Sequence, residues 1–491
     1  MKVKRILFLA LILTMAAVVV SCAAEEPTGS YGAPPPPLEI VGDGDDYLLD
    51  ENGEVEWGPA DWDDLPDDLD FGGHEFHIWT RRNSTFYQYI VEELTGEILN
   101  DAVFMRARNV EERLNVQFLE TIYTDNNAPR RILLAGDNTY DMINARCSHA
   151  FTYWLEGLIV DVHDLPFINL EKNYWHDVAN DSIRINHRQH VAIGAANLTF
   201  YDFAHAMLFN KQMIQDLGLP IPFDLVRSGQ WTLDAMESMV RAAADSMNAE
   251  GVWDMNSIFG YVSRGAQSMP NFWIASGLRS VSKDEYDIPY LSVDNERFLS
   301  LFNRVFEILI DTNGWFREYG GGGNVADTSI DLFMNNQSLF MNAQMWYISR
   351  LRGMETDFGI IPYPKFDESQ EQHFARASFY DAFIVSQSNP DLARTSAIIE
   401  ALNSESWKTV MPVYTELLLM SRYARDDESE AMLRMIMDNL VLDLGDTIWV
   451  DRVRDAVFAP MLAANNRNIV SRIDAMGNSL QRDIDRILDM D

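Results

Sequence analysis

The chain has 491 residues, of which 47% are hydrophobic and 23% are charged, so it can bury a sizeable core in two or three domains. Its formal net charge of −37 at pH 7 disfavours nucleic acid and anionic membrane surfaces as partners. Cys22 and Cys147 are its two cysteines, which excludes a metal site built from thiolates.

The N-terminal residues 1–21 are typical of a secretory signal. Three basic residues precede the apolar run Ile6–Val20, which is too short for a comfortable membrane span. The run Val19–Cys22 resembles a bacterial lipobox, and the resemblance implies cleavage before Cys22 and a diacylglycerol on its sulfur. An ordinary signal peptide with a coincidental cysteine is the alternative. If Cys22 is lipidated, Cys147 has no disulfide partner, and we expect it to be a small buried core residue.

Residues 22–70 are predicted to form an acidic, proline-rich tether. Pro34–Pro37 favours an extended spacer, and 13 acidic residues lie between Asp43 and Asp70. Self-repulsion and low hydrophobicity keep such a segment from packing. Asp50–Gly53 resembles part of a calcium loop, but the alternating ligands are missing on both sides, so calcium is the lesser alternative there. We expect the folded body to begin near Phe71.

Strand and helix signals alternate in the next part of the chain. The sequence predicts strands at 75–80, 115–123 and 140–145 and helices at 85–114 and 129–135. This alternation indicates βαβ units and a largely parallel sheet. Ligands of open α/β sheets bind beyond the carboxyl ends of the strands. Arg81 and Arg82 follow the first strand, and Cys147 and Ser148 follow the third, so these residues are expected at a cleft.

The stretch Asn197–Lys211 begins polar and aromatic and then becomes the apolar run 206–209. Such a run suits a buried strand as well as a helical turn. We interpret the stretch as an extended segment that carries the chain from one α/β lobe into a second. Tyr201 and Asp202 would then lie where the lobes face each other.

The second half of the chain also alternates and then becomes helical. Thr232 is a plausible cap for a helix at 235–247. The glycine run 320–323 lacks the strand and the Lys-Ser or Lys-Thr of a phosphate-binding loop, so we expect a flexible link there. Further elements are predicted as helices at 298–310, 390–402 and 469–488 and strands at 338–341, 358–361 and 379–386.

In order and spacing, several stretches resemble the extracellular solute-binding lipoproteins of carbohydrate ABC importers. The likeness runs from about residue 71 into the 440s and is carried by Leu99–Val103 with Val110–Arg113, Thr139–Ile143, Phe209–Lys211 with Gly229–Thr232, and Phe358–Lys365. The resemblance implies an α/β fold of the two-lobed, periplasmic-binding-protein type II class, with an interlobe cleft and a helical C-terminal region. Such lobes close over a ligand by hinge motion.

The resemblance also implies domain boundaries and a function. The expected lobes are 71–200 with 378–410 and 201–377 with 411–491, so the chain crosses near Asn197–Tyr201 and near Phe379–Asp381. The implied protein is a monomer anchored through Cys22 to the outer face of the bacterial membrane, and it delivers a carbohydrate, preferably an oligosaccharide, to an ABC permease. No enzymatic activity, cofactor or metal is expected.

Sugars present hydroxyl groups around a ring and apolar C–H faces, so a sugar site needs flat aromatic rings and planar polar groups. A single tryptophan is more often core than ligand platform, and the two aspartates among the candidates could instead be cap or turn residues. One of the two arginines could instead form a surface ion pair. The candidate ligand-binding residues are Arg81, Arg82, Ser148, Trp154, Tyr201, Asp202, Trp273, Trp346, Tyr380 and Asp381.

Two other functions stay open at this point. A cell-surface glycoside hydrolase would use Asp202 and Asp381 as its carboxylate pair. Neither a Gly-x-Ser-x-Gly nor a His-Glu-x-x-His motif occurs in the sequence. A sensor that presents bound solute to a membrane kinase would use the same binding chemistry as a transport protein.

Overall fold

The computed structural model divides into two compact units, Met1–Trp57 and Gly58–Asp491. The structure describes residues 48–49, 55–56, 62–81, 89–245, 257–316, 325–378, 380–416 and 426–489. In the first unit, β1 (Leu48–Leu49) pairs antiparallel with β2 (Val55–Glu56). The predicted signal segment, Cys22 with its lipobox, the proline run and the glycine run lie outside the described residues. None of the helices in the described ranges is long and apolar enough to cross a membrane.

The second unit contains twelve described strands, eight of which form two four-stranded sheets. They are β3 (His74–Arg81), β4 (Val116–Tyr123), β5 (Met142–Arg146), β6 (His205–Asn210), β7 (Phe259–Val262), β8 (Val281–Lys283), β9 (Pro289–Leu291), β10 (Ser338–Gln344), β11 (Phe358–Ile361), β12 (Ala375–Arg376), β13 (Asp381–Ile384) and β14 (Leu440–Val441).

Helices cover both sheets and make up most of the C-terminal region. They are α1 (Ile98–Leu114), α2 (Ala128–Ala135), α3 (Cys147–Leu155), α4 (Asp177–Ile183), α5 (Leu198–Asp202), α6 (Lys211–Asp216), α7 (Pro222–Arg227), α8 (Leu233–Asp245), α9 (Pro270–Ala275), α10 (Glu296–Phe306), α11 (Val325–Met334), α12 (Met345–Ile348), α13 (Leu392–Thr409), α14 (Met411–Glu416), α15 (Asp427–Asp438), α16 (Ala459–Ala463) and α17 (Val470–Leu488). Short π-helical segments at Glu307–Asp311 and Arg454–Phe458 lead out of α10 and into α16.

The first sheet has the strand order β13-β5-β3-β4. The central strand β3 is parallel to β4 and β5, and β13 joins the far edge antiparallel to β5. Helix α1 connects β3 to β4, and α2 connects β4 to β5, as βαβ units require. The α/β class and the largely parallel first sheet are therefore confirmed.

The second sheet has the strand order β11-β6-β10-β7, and its middle strand β6 comes from the stretch Asn197–Lys211. The structure divides that stretch, because Leu198–Asp202 forms the short helix α5 and only His205–Asn210 is a strand. The expectation of a continuous extended segment is therefore wrong for its first half. The apolar run is a strand because β10 and β11 hydrogen-bond to both of its edges and bury all six of its side chains.

The folded body begins earlier than Phe71, which corrects the predicted end of the tether. Leu65 is buried in the core. The carboxylate of Asp63 accepts two hydrogen bonds from the guanidinium of Arg113, both at 2.7 Å, and Asp64 accepts one from Lys172 at 2.7 Å. This segment is held to the folded body because basic side chains pair with its carboxylates, which the local composition of the tether could not show.

Candidate ligand-binding site

Two chain segments pass between the sheets side by side, and the candidate site lies where they meet. Ala204, just before β6, forms an isolated antiparallel bridge with Ala377, just before β13. The hydroxyl of Thr199 in α5 accepts a hydrogen bond from the backbone N–H of Asp381 at 3.3 Å. These contacts hold α5, which precedes the second sheet, against the first residue of the edge strand of the first sheet.

The central polar feature is an ion pair between Arg81, at the end of β3, and Asp381, at the start of β13. Nε and Nη2 of Arg81 donate to the two carboxylate oxygens of Asp381, each at 2.9 Å. Because β5 lies between these strands, the Arg81 side chain crosses the carboxyl end of β5. Burial raises the pKa of Asp381, whereas Arg81 and Arg146, its register partner on β5, act to lower it. The pair therefore fixes a guanidinium at the edge of the sheet.

Tyr201 and Trp346 supply half-buried aromatic rings on two short helices that flank strands of the second sheet. Tyr201 belongs to α5, and its ring lies 6.0 Å from that of Tyr414 and 6.2 Å from that of His176. Trp346 belongs to α12, and its Nε1 donates to Oε1 of Gln344 at 3.2 Å. Helices α5 and α12 contact each other directly. Both rings therefore keep some exposed surface at the junction of the two sheets.

Trp154 and Trp273 are packed in the core, with 2% and 1% of their surface exposed. The ring of Trp154 stacks on His190 at 5.6 Å. Trp273 donates from Nε1 to the buried carboxylate of Asp443 at 2.6 Å and packs against Phe458. Core residues therefore cover the ring surfaces on which a sugar would stack. The geometry gives no support to the expectation that these two rings stack on ligand.

Asp202 and Tyr380 are also buried, and each has a partner inside the protein. Asp202 accepts a hydrogen bond from the hydroxyl of Tyr414 at 2.7 Å, which links α5 to α14. The hydroxyl of Tyr380 donates to Sγ of Cys147 at 3.1 Å. Burial raises the pKa of the Cys147 thiol to about 12, so this cysteine is a neutral core residue, as its isolation in the sequence predicted. Both predicted ligand contacts therefore have structural roles here.

Ser148 is the second residue of α3 and is 7% exposed. In the described part of the chain its hydroxyl makes no hydrogen bond. Arg82 lies outside the described residues. Of the ten candidates, the structure pairs Arg81 with Asp381, places Ser148 at the start of the helix that follows β5, and places Tyr201 and Trp346 on the contacting helices α5 and α12.

Sequence reasoning missed several charged residues of this region. Arg146 ends β5, and it interacts electrostatically with Arg81, Asp381, Arg454 and Asp451. Burial is the largest cause that lowers the pKa of Arg146, and the positive charges of Arg81 and Arg454 lower it further. The rule that selected Ser148, its position after a strand, would also have selected Arg146. No local signal connects Asp451 and Arg454 with this sheet, because both come from the helical C-terminal region.

A second buried network supports the strand that leads into β13. Arg376 on β12 donates to Asp446 from Nε at 2.5 Å and from Nη2 at 2.9 Å, and Arg454 donates to the same carboxylate at 3.2 Å. His205 at the start of β6 hydrogen-bonds through Nε2 to the hydroxyl of Ser378 at 2.8 Å. Burial lowers the pKa of His205 well below its ordinary value, so its ring is neutral. These contacts hold the second connecting segment in place.

The described residues also enclose a small cavity beneath the first sheet. The centre of a water-sized sphere can reach about 10 Å³ in it, which is enough for a single water and too small for a saccharide. Asn197, Asn403 and Phe383 are among its lining residues. Within the described ranges no group of His, Cys, Asp or Glu residues is arranged to hold a metal ion.

Comparison with known proteins shows likeness at the level of the fold. No protein-family profile matches the sequence, and no curated protein matches it. Among solved structures, an ABC substrate-binding protein of Listeria monocytogenes in complex with cycloalternan has a TM-score of 0.54 and 12% identity, over 84% of this chain and 98% of its own.

Two further solved structures show the same likeness. The maltose/maltodextrin-binding domain MalE of Bdellovibrio bacteriovorus, bound to maltotriose, has a TM-score of 0.52 and 12% identity over 83% of this chain and all of its own. The galacto-N-biose/lacto-N-biose I-binding protein of Bifidobacterium longum has a TM-score of 0.56 and 10% identity over 84% and 98%. The chain therefore has the two-lobed α/β fold of the sugar-binding proteins of ABC transporters.

Proposed function

We propose that this protein is a lipid-anchored solute-binding protein that captures a carbohydrate outside the cell and delivers it to an ABC permease. The anchor is a diacylglycerol on Cys22, which holds the protein at the outer face of the bacterial membrane. The ligand is an oligosaccharide, and the protein binds it as a monomer, without a cofactor. The membrane-spanning subunits of the permease are its protein partners.

The observation that carries this proposal is the link between the Arg81–Asp381 pair and the two helices that carry aromatic rings. Asp381 donates to Thr199 of α5, the helix of Tyr201, and α5 contacts α12, the helix of Trp346. The ion pair comes from the first sheet, and the rings lie on α5 and α12, which flank strands of the second sheet. A guanidinium with unused N–H groups binds sugar hydroxyls, and a half-exposed ring can cover an apolar face of the sugar. The arrangement thus combines both kinds of group that carbohydrate recognition needs.

The fold supports the same proposal. The three similar structures hold cycloalternan, maltotriose and lacto-N-biose, and this chain spans almost their whole length. In the proposed mechanism, residues 71–200 with 378–410 move as one lobe and residues 201–377 with 411–491 as the other. The two segments joined by Ala204 and Ala377 would then bend as the lobes close.

Tryptophan fluorescence with a panel of oligosaccharides tests the proposal. We expect saturable quenching by at least one of them, with no product released. Trp346→Ala should weaken that binding about tenfold or more, since stacked aromatic contacts contribute on the order of 1 kcal/mol beyond the area they bury. Trp62→Ala is the matched control, because Trp62 is half exposed and lies over Lys408 rather than at the site. If no carbohydrate binds, or if Trp62→Ala and Trp346→Ala weaken binding equally, the proposal fails.

The two alternative functions predict different results. A hydrolase would release product, and Asp202→Asn or Asp381→Asn would abolish its activity. The geometry does not favour this, because both carboxylates are buried and hydrogen-bonded, one to Tyr414 and the other to Arg81. A kinase-coupled sensor would bind sugar identically but would stimulate phosphorylation of a membrane kinase instead of uptake.

A further inference from the structure

The start of α3 and the Arg81 side chain form a group of unused hydrogen-bond donors, which we call the donor corner. It consists of Nη1 of Arg81, the hydroxyl of Ser148, and the backbone N–H groups of Ser148 and His149. The Asp381 pair uses Nε and Nη2 of Arg81, and Nη1 makes no hydrogen bond to any described residue. The N–H groups of a first helical turn have no acceptor within the helix. The side chain of Arg146, the residue before α3, does not cap the start of this helix.

Strand topology brings these donors together. Helix α3 begins directly where β5 ends, at Arg146. The Arg81 side chain crosses that same strand end to reach Asp381, which is the register partner of Arg146. Ser148, with its hydroxyl unpaired among the described residues, is 93% buried at this point. Its hydroxyl is therefore a donor that a bound ligand can use.

Three arginines lie around the donor corner, and carboxylates pair with two of them. Arg146 is repelled by Arg81 and Arg454 and attracted by Asp381 and Asp451. Arg454 itself pairs with Asp446 and Asp455. Both oxygens of Asp381 already accept hydrogen bonds from Arg81. The helix start adds a partial positive charge. The whole chain has a net charge of −37, but salt screens distant charges beyond about 8 Å, so the local charges and the unused donors determine the contact energy.

We propose that the bound carbohydrate is acidic and that a carboxylate of the sugar occupies the donor corner. This inference rests on the proposed function and narrows the ligand from carbohydrates in general to acidic carbohydrates. An ionised carboxylate only accepts hydrogen bonds, through two oxygens, and the corner only donates them. A neutral hydroxyl must also donate to be satisfied. Asp381 holds the guanidinium plane of Arg81 in place. This guanidinium and the first turn of α3 both donate hydrogen bonds, so they can bind an acceptor of this kind.

Calorimetry on the full chain in a non-glycosidic detergent tests the inference with matched pairs of ligands. The pairs are oligosaccharides of galacturonate, glucuronate and mannuronate and the methyl ester of each, with maltotriose as a neutral sugar. The ester removes the charge and keeps the ring. We expect at least one acid to bind more than tenfold tighter than its ester. That preference should shrink as the salt concentration rises from about 0.05 M to about 0.5 M.

Variants assign the preference to the donor corner. Ser148→Ala should weaken binding of the acid about tenfold, because a hydrogen bond to a charged group contributes about 1.5 kcal/mol or more, and should leave the ester unchanged. Ser148→Asp should abolish binding of the acid by repulsion. Arg130→Gln is the control, since Arg130 lies on the same sheet's outer helix and pairs with Glu156 at the surface. Melting temperatures show whether each variant folds.

The outcomes separate this inference from the function on which it rests. If neutral sugars bind and no acid is preferred over its ester, the inference is wrong and the proposed function stands. An acid preference that Ser148→Ala and Arg130→Gln reduce equally also overturns the inference. If neither acidic nor neutral sugars bind, the proposed function itself is wrong.

Discussion

Asp381 shows that the sequence can identify a single site residue without identifying its partner. Its position beside Tyr380 at an expected crossover was enough to select it, but its partner Arg81 lies 300 positions away and was selected because it follows a predicted strand. Their pairing depends on the order of strands in the sheet. Trp154 and Trp273 were selected by the same kind of reasoning and are core residues. A residue type indicates which chemistry is possible, while burial is decided by tertiary packing, which a local pattern does not contain.

Glu400, buried on α13, makes stability depend on pH. Burial raises the pKa of its carboxyl to about 8, although the hydroxyl of Tyr174 and the indole N–H of Trp175 donate to it. The folded pKa lies above the ordinary value of 4.5, so the folded state binds the proton more tightly. The stability contributed by this group is complete below pH 4.5 and is lost as the pH rises through about 8.

We therefore expect the free energy of unfolding to fall between pH 5 and pH 8, and we expect Glu400→Gln to flatten that slope (about 1.4 kcal/mol for each pH unit of complete proton linkage). Urea unfolding at four pH values measures it. Glu405→Gln on the same helix is the control and should keep the wild-type slope. A slope that Glu400→Gln leaves unchanged would contradict the assignment.

Asp443 joins the C-terminal region to the second sheet's helices through one buried carboxylate. It accepts hydrogen bonds from Trp273 Nε1 at 2.6 Å, from the Ser280 hydroxyl at 2.7 Å and from the Gly445 N–H at 2.9 Å. In Asp443→Asn, an NH₂ group would face hydrogen-bond donors in place of an accepting oxygen. We expect this substitution to destabilise the protein by about 3 kcal/mol. Chemical denaturation measures the loss. The exposed substitution Asp489→Asn should cost almost nothing, and equal losses in the two variants would refute this role.

Among the secondary-structure elements, periodicity gave the type of most helices and strands but not their limits. Of the predicted helix at 85–114, the described residues 89–97 are not helical and the helix α1 begins at Ile98, because Gly96 adopts a positive φ of 78° and the Glu97 carboxylate caps the N–H of Asn100. Residues 206–209 were compatible with either a strand or a helical turn. Hydrogen bonds from β10 and β11, both remote in sequence, make them a strand. The neighbouring strands, and not the local sequence, therefore determine the conformation of residues 206–209.

Gly359 on β11 is required by the close packing of that strand. A Cβ atom there would lie 2.3 Å from the Phe209 ring and 2.7 Å from that of Phe223. We expect Gly359→Ala to destabilise the protein by about 1–3 kcal/mol, as overpacked cores do. Gly353→Ala is the control, since its Cβ would meet only Met334, at 3.9 Å. Thermal and urea unfolding of both variants measures the difference, and a Gly359→Ala variant as stable as the control would contradict the packing argument.

For the whole molecule, the proposed function includes a lipid anchor at the N-terminus. In that proposal, the lipobox-like Val19–Cys22 attaches the protein to the membrane and the acidic segment after it is the tether. We expect Cys22→Ala to release the protein from the cell surface into the medium and to leave its sugar affinity unchanged. Cell fractionation and calorimetry measure the two effects, with Cys147→Ala as the control that stays attached. Membrane retention of the Cys22→Ala protein would rule out the lipid anchor.

Ligand binding should also change the shape of the whole molecule, because the proposed site takes residues from both sheets. The Arg81–Asp381 pair belongs to the first sheet, and Tyr201 and Trp346 flank the second, so a ligand that touches all of them favours the arrangement in which they are closest. We expect the radius of gyration, measured by small-angle X-ray scattering, to decrease when a binding oligosaccharide is added. Trp346→Ala removes one contact of the closed form and should require more ligand for the same decrease. If a saturating ligand leaves the radius of gyration of the wild type unchanged, binding does not close the lobes, and the permease must distinguish loaded protein in another way.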